Sequence, residues 1–344
     1  MSVTIKDVAK KAGVAPSTVS RVIAESPKIS KETKKKVRKV MDELGYHLNL
    51  NARNLVQKST KTIGIVLKNS ASQSLLNPVF PEILNGISAF CHQEDFSIIL
   101  TSGSSEEEIF QDTVKIVQGK KVDGIIVMYS KKDDKVVPYL SECGIPFLVI
   151  GKPVFGLNEV MYVDNDNVFA AKQATDYLIK LGHKQIAFIS AAPNYEVSLS
   201  RCYGYKLALT ENNLEIKESY IKSFQIEQKD PGKQAVTELL QMTEPPTALL
   251  IADDLQAMLV LLILRELKIK VPEDVSIVAF NNTIISRLSS PPLTSVNIQT
   301  YQLGYEAARC LIEQIKEPDS SKKSVIIPTN MEERESCLAI NHLK

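Results

Sequence analysis

Tryptophan is absent from the 344 residues, histidine occurs only four times and cysteine five. Without an indole, any flat ligand face has to stack on one of the 10 phenylalanines or 11 tyrosines. The histidines form no metal or catalytic cluster, and His183, directly after Gly182, reads as structural. Cys91, Cys143, Cys202, Cys310 and Cys337 are odd in number and have neither metal-ligand nor Cys-x-x-Cys spacing. They fit buried free thiols in a reducing compartment. No apolar run reaches the roughly 18 residues of a membrane span. No export signal opens the chain, so a cytoplasmic location with no membrane partner is the expectation. A Gly-rich phosphate loop, a G-x-G-x-x-G turn and a G-x-S-x-G elbow are all missing. The many carboxylates show no acid/base pairing. An enzyme is not expected, and neither is a cofactor or a metal.

Net charge is also nearly absent, at +1. Its distribution is not even. Residues 1–61 hold 14 of the 41 Lys/Arg and 5 of the 40 Asp/Glu, which leaves 27 and 35 for the rest. The head is therefore +9 and the body −8. A basic head on an acidic body predicts a polyanion bound at one end only.

That head contains the most informative stretch, Thr4 to Tyr46, which reads as three short helices with no strand. Thr4 and Asp7 stand at capping-box spacing, so the Thr4 hydroxyl is expected to take the Asp7 N–H. Gly13 ends this helix where a left-handed residue is needed. Pro16 opens the second where no N–H is required. There Ser17, Thr18, Ser20 and Arg21 form a polar side, opposite Val19, Val22 and Ile23. Ser30 caps the third, in which Val37, Val40, Met41 and Leu44 recur every three to four residues. Two helices about four residues apart, the second with small polar side chains and an arginine, suit a DNA major groove.

T-I-K-D-V-A-K-K-A-G-V, then T-V-S-R-V, then E-L-G-Y resembles the DNA-binding headpiece of the lactose/galactose-repressor family. The resemblance implies a homodimer on double-stranded operator DNA. Pro16, Ser17 and Arg21 would face bases; Thr4, Thr18, Ser20, Ser30 and Thr33 would hold phosphates. It also implies that the polar segment after Tyr46 is a hinge helix lying in the minor groove. Asn49, Ala52, Arg53 and Leu55 fall on the matching positions, with Leu55 as the apolar wedge. The sequence departs from the family pattern at Ala15, Ala24 and Leu48, where Ser, Asn and Pro are usual. The domain plan is a headpiece at 1–47, a hinge at 48–60 and a body at 61–344.

From Thr62 the pattern changes to apolar runs separated by amphipathic stretches. IGIVL (63–67), SIILTSG (97–103), GIIVM (124–128) and FLVIG (147–151) form one set. QIAFIS (185–190), TALLIAD (247–253) and SIVAF (276–280) form a second. Continuous apolar strands alternating with helices imply parallel sheets covered on both faces. Two sets imply two α/β lobes with a cleft between them, matching the family's periplasmic-binding-protein-like body. The helix around Leu303 to Ile315 and the strand VIIP (325–328) complete the lobes, and R-E-S-C (334–337) is similar to the family's tail.

Ligands of open α/β sheets sit outside the carboxyl ends of the strands. Asp164, Asn165 and Asp166 follow MYV, Asp253 and Asp254 follow TALLIA, and Asn281 and Asn282 follow SIVAF. Arg201 lies in S-x-S-R-x-x-G, which matches the family's effector clamp. Carboxylates, amides and a guanidinium can each bind adjacent sugar hydroxyls. The candidate effector residues are thus Phe80, Asp164, Asn165, Arg201, Asp254 and Asn281, with Tyr195 a further candidate for ring stacking. G-K-P (151–153) and Y-V-D-N-D-N (162–167) look like the maltose-operon regulators of Gram-positive bacteria, implying a maltose or maltodextrin effector. Two alternatives stand beside a sugar-released repressor. One is a corepressor- or phosphoprotein-activated regulator of the same family, for which Arg309 is a candidate contact. The other is a transport-type sugar-binding protein, against which the basic head argues.

Overall fold

The computed structural model describes residues 3–23, 26–46, 59–67, 74–101, 103–156, 159–191, 194–225 and 229–340. The chain divides into two units, Met1–Lys61 and Thr62–Lys344. The expected hinge positions Asn49, Ala52, Arg53 and Leu55 lie outside the described residues.

The first unit is built from α1 (Ile5–Ala12), α2 (Pro16–Ile23) and α3 (Lys31–Leu44). Val8, Ala9, Ala12, Val19, Val22, Val37 and Val40 pack as its core. Gly13 follows α1 at φ 66°, a left-handed conformation that costs a residue with a Cβ. Thr4 and Asp7 form the expected capping box at the start of α1. The Thr4 N–H and hydroxyl both donate to the Asp7 carboxylate, at 2.8 and 2.6 Å. The Asp7 N–H donates to the Thr4 carbonyl at 3.0 Å. These bonds hold the Asp7 carboxyl below its usual range.

The second unit carries two sheets of six strands. The first contains β1 (Thr62–Val66), β2 (Ser97–Leu100), β3 (Gly124–Val127), β4 (Phe147–Ile150), β5 (Met161–Asn165) and β11 (Ser324–Ile327). Its order is β11-β5-β4-β3-β1-β2, and every pairing is parallel. The second contains β6 (Ile186–Ser190), β7 (Ile221–Ser223), β8 (Ala248–Ile251), β9 (Ser276–Phe280), β10 (Thr294–Asn297) and β12 (Asn330–Glu332). Its order is β12-β10-β9-β8-β6-β7, and β12 alone pairs antiparallel. Central strands such as β3, β6, β8 and β9 are buried along their whole length. Helices cover both faces, so the strands read as continuous apolar runs rather than alternating ones.

The helices are α4 (Val79–Gln93), α5 (Glu106–Gln118), α6 (Val136–Cys143), α7 (Asn167–Lys180), α8 (Glu196–Glu211), α9 (Lys229–Leu240), α10 (Asp254–Glu266), α11 (Ile284–Leu288) and α12 (Thr300–Lys316). Those that bear on the cleft are α4 and α12, packed on each other in the first lobe, and α7 and α8, paired in the second. A Cβ at Gly304 would stand 2.0 Å from the Ile83 carbonyl oxygen, and one at Gly86 2.0 Å from that of Tyr301. The α4–α12 pair therefore meets backbone to backbone.

Among the described residues the chain passes between the lobes three times, from β5 to α7, from β10 to α12 and from β11 to β12. The Asn165 amide donates to the Ile298 and Ile327 carbonyls at 3.1 and 2.9 Å, tying one crossing to the other two. Gln299 adds a bond to the Pro328 carbonyl at 2.7 Å. The R-E-S-C segment is structural. Ser336 donates to the Ile277 carbonyl and receives the Thr294 N–H, while Arg334 binds the Asn282 side-chain oxygen. His183 is also structural, buried against the Thr247 hydroxyl and the Leu338 carbonyl.

Candidate functional site

The headpiece exposes the side expected to read DNA. Pro16, Ser17 and Arg21 are exposed on α2, with Thr18 and Ser20 half-buried, while Val19 and Val22 turn into the core. Ser30 and Thr33 are partly committed to capping α3. The Ser30 hydroxyl takes the Thr33 N–H at 3.2 Å and lies 2.9 Å from the Thr33 hydroxyl. Their remaining hydrogen-bonding capacity faces solvent at the start of a helix, where N–H groups and the helix dipole favour phosphate.

In the body, the carboxyl ends of the strands converge on a cavity of about 200 Å³. Asp164 and Asn165 reach it from β5, Asn167 from the start of α7, and Asp253 and Asn281 from just beyond β8 and β9. Phe80, Met128, Ile150, Ile298 and Leu303 supply apolar walls, and Tyr129 and Tyr195 aromatic ones. Arg201 comes from α8 and is only 5% exposed. Its Nε donates to Asn167 Oδ1 at 2.9 Å, and its Nη1 to the Ala252 carbonyl at 2.5 Å and to Asn281 Oδ1 at 3.5 Å. Its guanidinium lies 4.1 Å from the centre of the Phe280 ring. Among the described residues Nη2 has no hydrogen-bond partner.

Burial lowers the Arg201 pKa to about 10, opposed by Asp253, Asp164 and Asp254, so it stays cationic at neutral pH. Asp164 accepts the Lys152 N–H at 2.9 Å and the Asn167 amide at 3.0 Å. Burial nevertheless raises it to about 6. Asp253 caps α10 through the Leu255 and Gln256 N–H groups and also accepts the Asn281 and Asn77 amides, both at 3.1 Å. The Asn77 bond crosses from the first lobe to the second.

Phe80, Asp164, Asn165, Arg201 and Asn281 are thus brought together around one cavity, and Tyr195 with them. Asn165 has a second commitment, since its amide is already given to the crossing strands. The expectation for Asp254 is corrected. Its side chain turns into the protein and accepts from the Thr283 N–H, the Thr283 hydroxyl and the Ser286 hydroxyl, at 2.8, 2.6 and 3.1 Å. Asp253, its neighbour, lines the cavity instead. Asn281 and Asn282 stand at φ 89° and 54°, two consecutive left-handed residues, a conformation asparagine tolerates better than most. Arg309 is held on its own helix by Glu306 and Glu313, at 2.5 and 2.9 Å.

Asn77 and Asn167 were not singled out from sequence. Asn77 had a signal, since an asparagine before Pro78 at a helix entrance often bonds locally, and it accepts the Val79 N–H at 3.1 Å. Asn167 lay inside Y-V-D-N-D-N, where nothing local distinguishes the two asparagines.

The sequence pattern of the lacI family of bacterial regulatory proteins matches residues 4–49, and that of the periplasmic binding protein-like domain matches 175–337. The chain is 34% identical over 348 residues to the HTH-type transcriptional regulator MalR of Staphylococcus xylosus, covering 99% of this chain and 100% of that protein. It is 46% identical over 219 residues to MalR of Streptococcus pneumoniae, covering 62% and 66% of the two chains. A solved structure, the complex of the transcriptional regulator CelR with cellobiose, superposes with a TM-score of 0.75. It is 31% identical over 97% of this chain and 99% of that one.

Proposed function

This chain belongs to the lacI family of bacterial regulatory proteins, and from that premise we propose that it is a dimeric, sugar-released repressor. DNA binding and transcription regulation come with the family. The finer reading is that a maltose- or maltodextrin-type sugar occupies the cavity around Arg201 and lowers affinity for operator DNA. The plan is a headpiece at 1–47, a hinge at 48–60 carrying Asn49, Ala52, Arg53 and Leu55, and a sugar-binding, dimer-forming body at 61–344, working in the cytoplasm.

One observation carries the sugar reading. A buried arginine is fixed on three sides by Asn167, the Ala252 carbonyl and the Phe280 ring, and Asp164 and Asn281 stand around the same cavity. Such a set offers donors and acceptors to a polyol between apolar and aromatic walls. Similarity to MalR proteins supports the choice of sugar. Dimerisation is supported by Met258 on α10 and Ile284 and Leu288 on α11, which stand 45%, 43% and 76% exposed on the second lobe. Large apolar side chains grouped on neighbouring helices suit a second copy of the same surface.

Calorimetric titration of maltose into the full chain tests the reading. Saturable binding at one site per chain is expected, and it should be lost in Arg201→Ala. Binding that survives this substitution at wild-type strength would place the sugar elsewhere.

A further inference from the structure

One wall of the cavity is made by a contact between the lobes. After β3, the Ser130 carbonyl accepts the Glu196 N–H at 3.1 Å, and the Lys132 N–H donates to the Asn194 carbonyl at 3.0 Å. Lys131 and Tyr195 form an isolated antiparallel bridge between these bonds. Ser130 and Tyr195 themselves line the cavity, so the clasp lies at its edge.

Each side of the clasp is anchored in its own lobe. On the first, the Lys131 side chain is only 9% exposed and pairs with Glu106 at 2.5 Å. The Tyr129 hydroxyl donates to Asp134 at 2.9 Å, and Asp134 also accepts the Val137 N–H at 2.8 Å. On the second, Glu196 is the first residue of α8, the helix that carries Arg201. Opposite, Asn77 bonds Asp253 across the cleft, and the tied crossing strands close the third side. The cavity between these contacts has a volume of about 200 Å³. A short sugar leaves these contacts standing; a longer glucan that extends past Ser130 and Tyr195 has to displace the clasp.

We propose that the clasp between Ser130–Lys132 and Asn194–Glu196 sets the length of glycan the cavity accepts, admitting short sugars and excluding longer chains. The proposal rests on the reading that the cavity binds a maltose-type sugar. Its bonds are backbone bonds, so a side-chain substitution leaves them standing unless it removes an N–H. Glu196 allows that removal cleanly. As the first helical residue its N–H has no partner within the helix, and proline is tolerated there. Tyr195 before it is extended, at φ −89° and ψ 135°, as the residue before a proline must be. Glu196→Pro therefore removes the bond to Ser130 and keeps the helix. Glu196→Ala keeps the N–H and serves as the control, because both variants lose the bond from Ser200 to the Glu196 carboxylate.

Maltose, maltotriose and maltotetraose are titrated into the full wild-type chain and both variants, with folding checked by circular dichroism. Wild type and Glu196→Ala should bind maltotetraose about ten-fold more weakly than maltose, and Glu196→Pro should narrow that gap several-fold, as expected for losing one backbone bond. Equal affinity for all three sugars in wild type overturns the clasp proposal and leaves the sugar reading intact. So does a gap in Glu196→Pro as wide as in Glu196→Ala. No binding of any of the three overturns the sugar reading and this proposal with it. Should Glu196→Pro fail to fold, the wild-type series still decides, since a flat series rejects the proposal.

Discussion

Two neighbouring aspartates show what one position on a helix changes. Asp253, extended, caps α10 and faces the cavity; Asp254, one residue into the helix, faces Thr283 and Ser286 in the interior. Successive helical side chains point about 100° apart, so adjacency in sequence says little about which of two carboxylates meets a ligand. Cap geometry decides it, and cap geometry depends on where the strand before it ends. Arg201 was legible because its motif is specific, and Arg21 because Pro16 fixes where its helix begins. Arg21→Ala should cost about 1–3 kcal/mol on operator DNA and less on random duplex, measured by competition titration. Equal losses on both would remove Arg21 from base reading.

Asp254 also has a consequence for pH. Burial, and next the charge of Asp253, raise it to about 6 from 3.8, and burial raises Asp164 to about 6 as well. A carboxyl that holds its proton more tightly when folded favours the folded state more as pH falls from about 6 towards about 4. Its contribution is lost as pH rises through that window, with a slope of at most about 1.4 kcal/mol per unit per group. Urea denaturation at pH 7 and pH 5 should therefore show a smaller gain at low pH for Asp254→Asn than for wild type. Identical gains would mean that Asp254 is ionised throughout the window.

Most elements were legible because each buried strand is a continuous apolar run. β7, β10 and β12 were not. IKS and NME are too short and polar to stand out, and TSV follows a proline pair; sheet pairing, not local preference, makes them strands. The close approach of α4 and α12 was equally hidden, since a glycine in a helical pattern shows nothing of the backbone opposite. It gives a prediction with a reversed sign. Replacing a helical glycine with alanine ordinarily stabilises by about 1 kcal/mol. Gly304→Ala should instead destabilise by about 1–3 kcal/mol, because the new Cβ would meet the Ile83 carbonyl and force the helices apart. A raised denaturation midpoint would show that the pair has room to spare.

Across the whole molecule, the proposed response is a shift between two lobe arrangements, and a sugar drives it only by binding one of them better. The cleft has contacts that one such arrangement would keep: Asn77 to Asp253, the clasp at Ser130 and Glu196, and crossings tied by Asn165. The sugar's hydroxyls would add to the same set around Arg201. The expected coupling is on the order of 1–3 kcal/mol, or about 5- to 150-fold in affinity. The most direct test is a titration of the full chain onto an operator duplex selected from random sequence, with and without saturating maltose. The account predicts that maltose weakens operator binding within that range in wild type and leaves Arg201→Ala unchanged. Operator binding that maltose tightens, or does not alter, would contradict it.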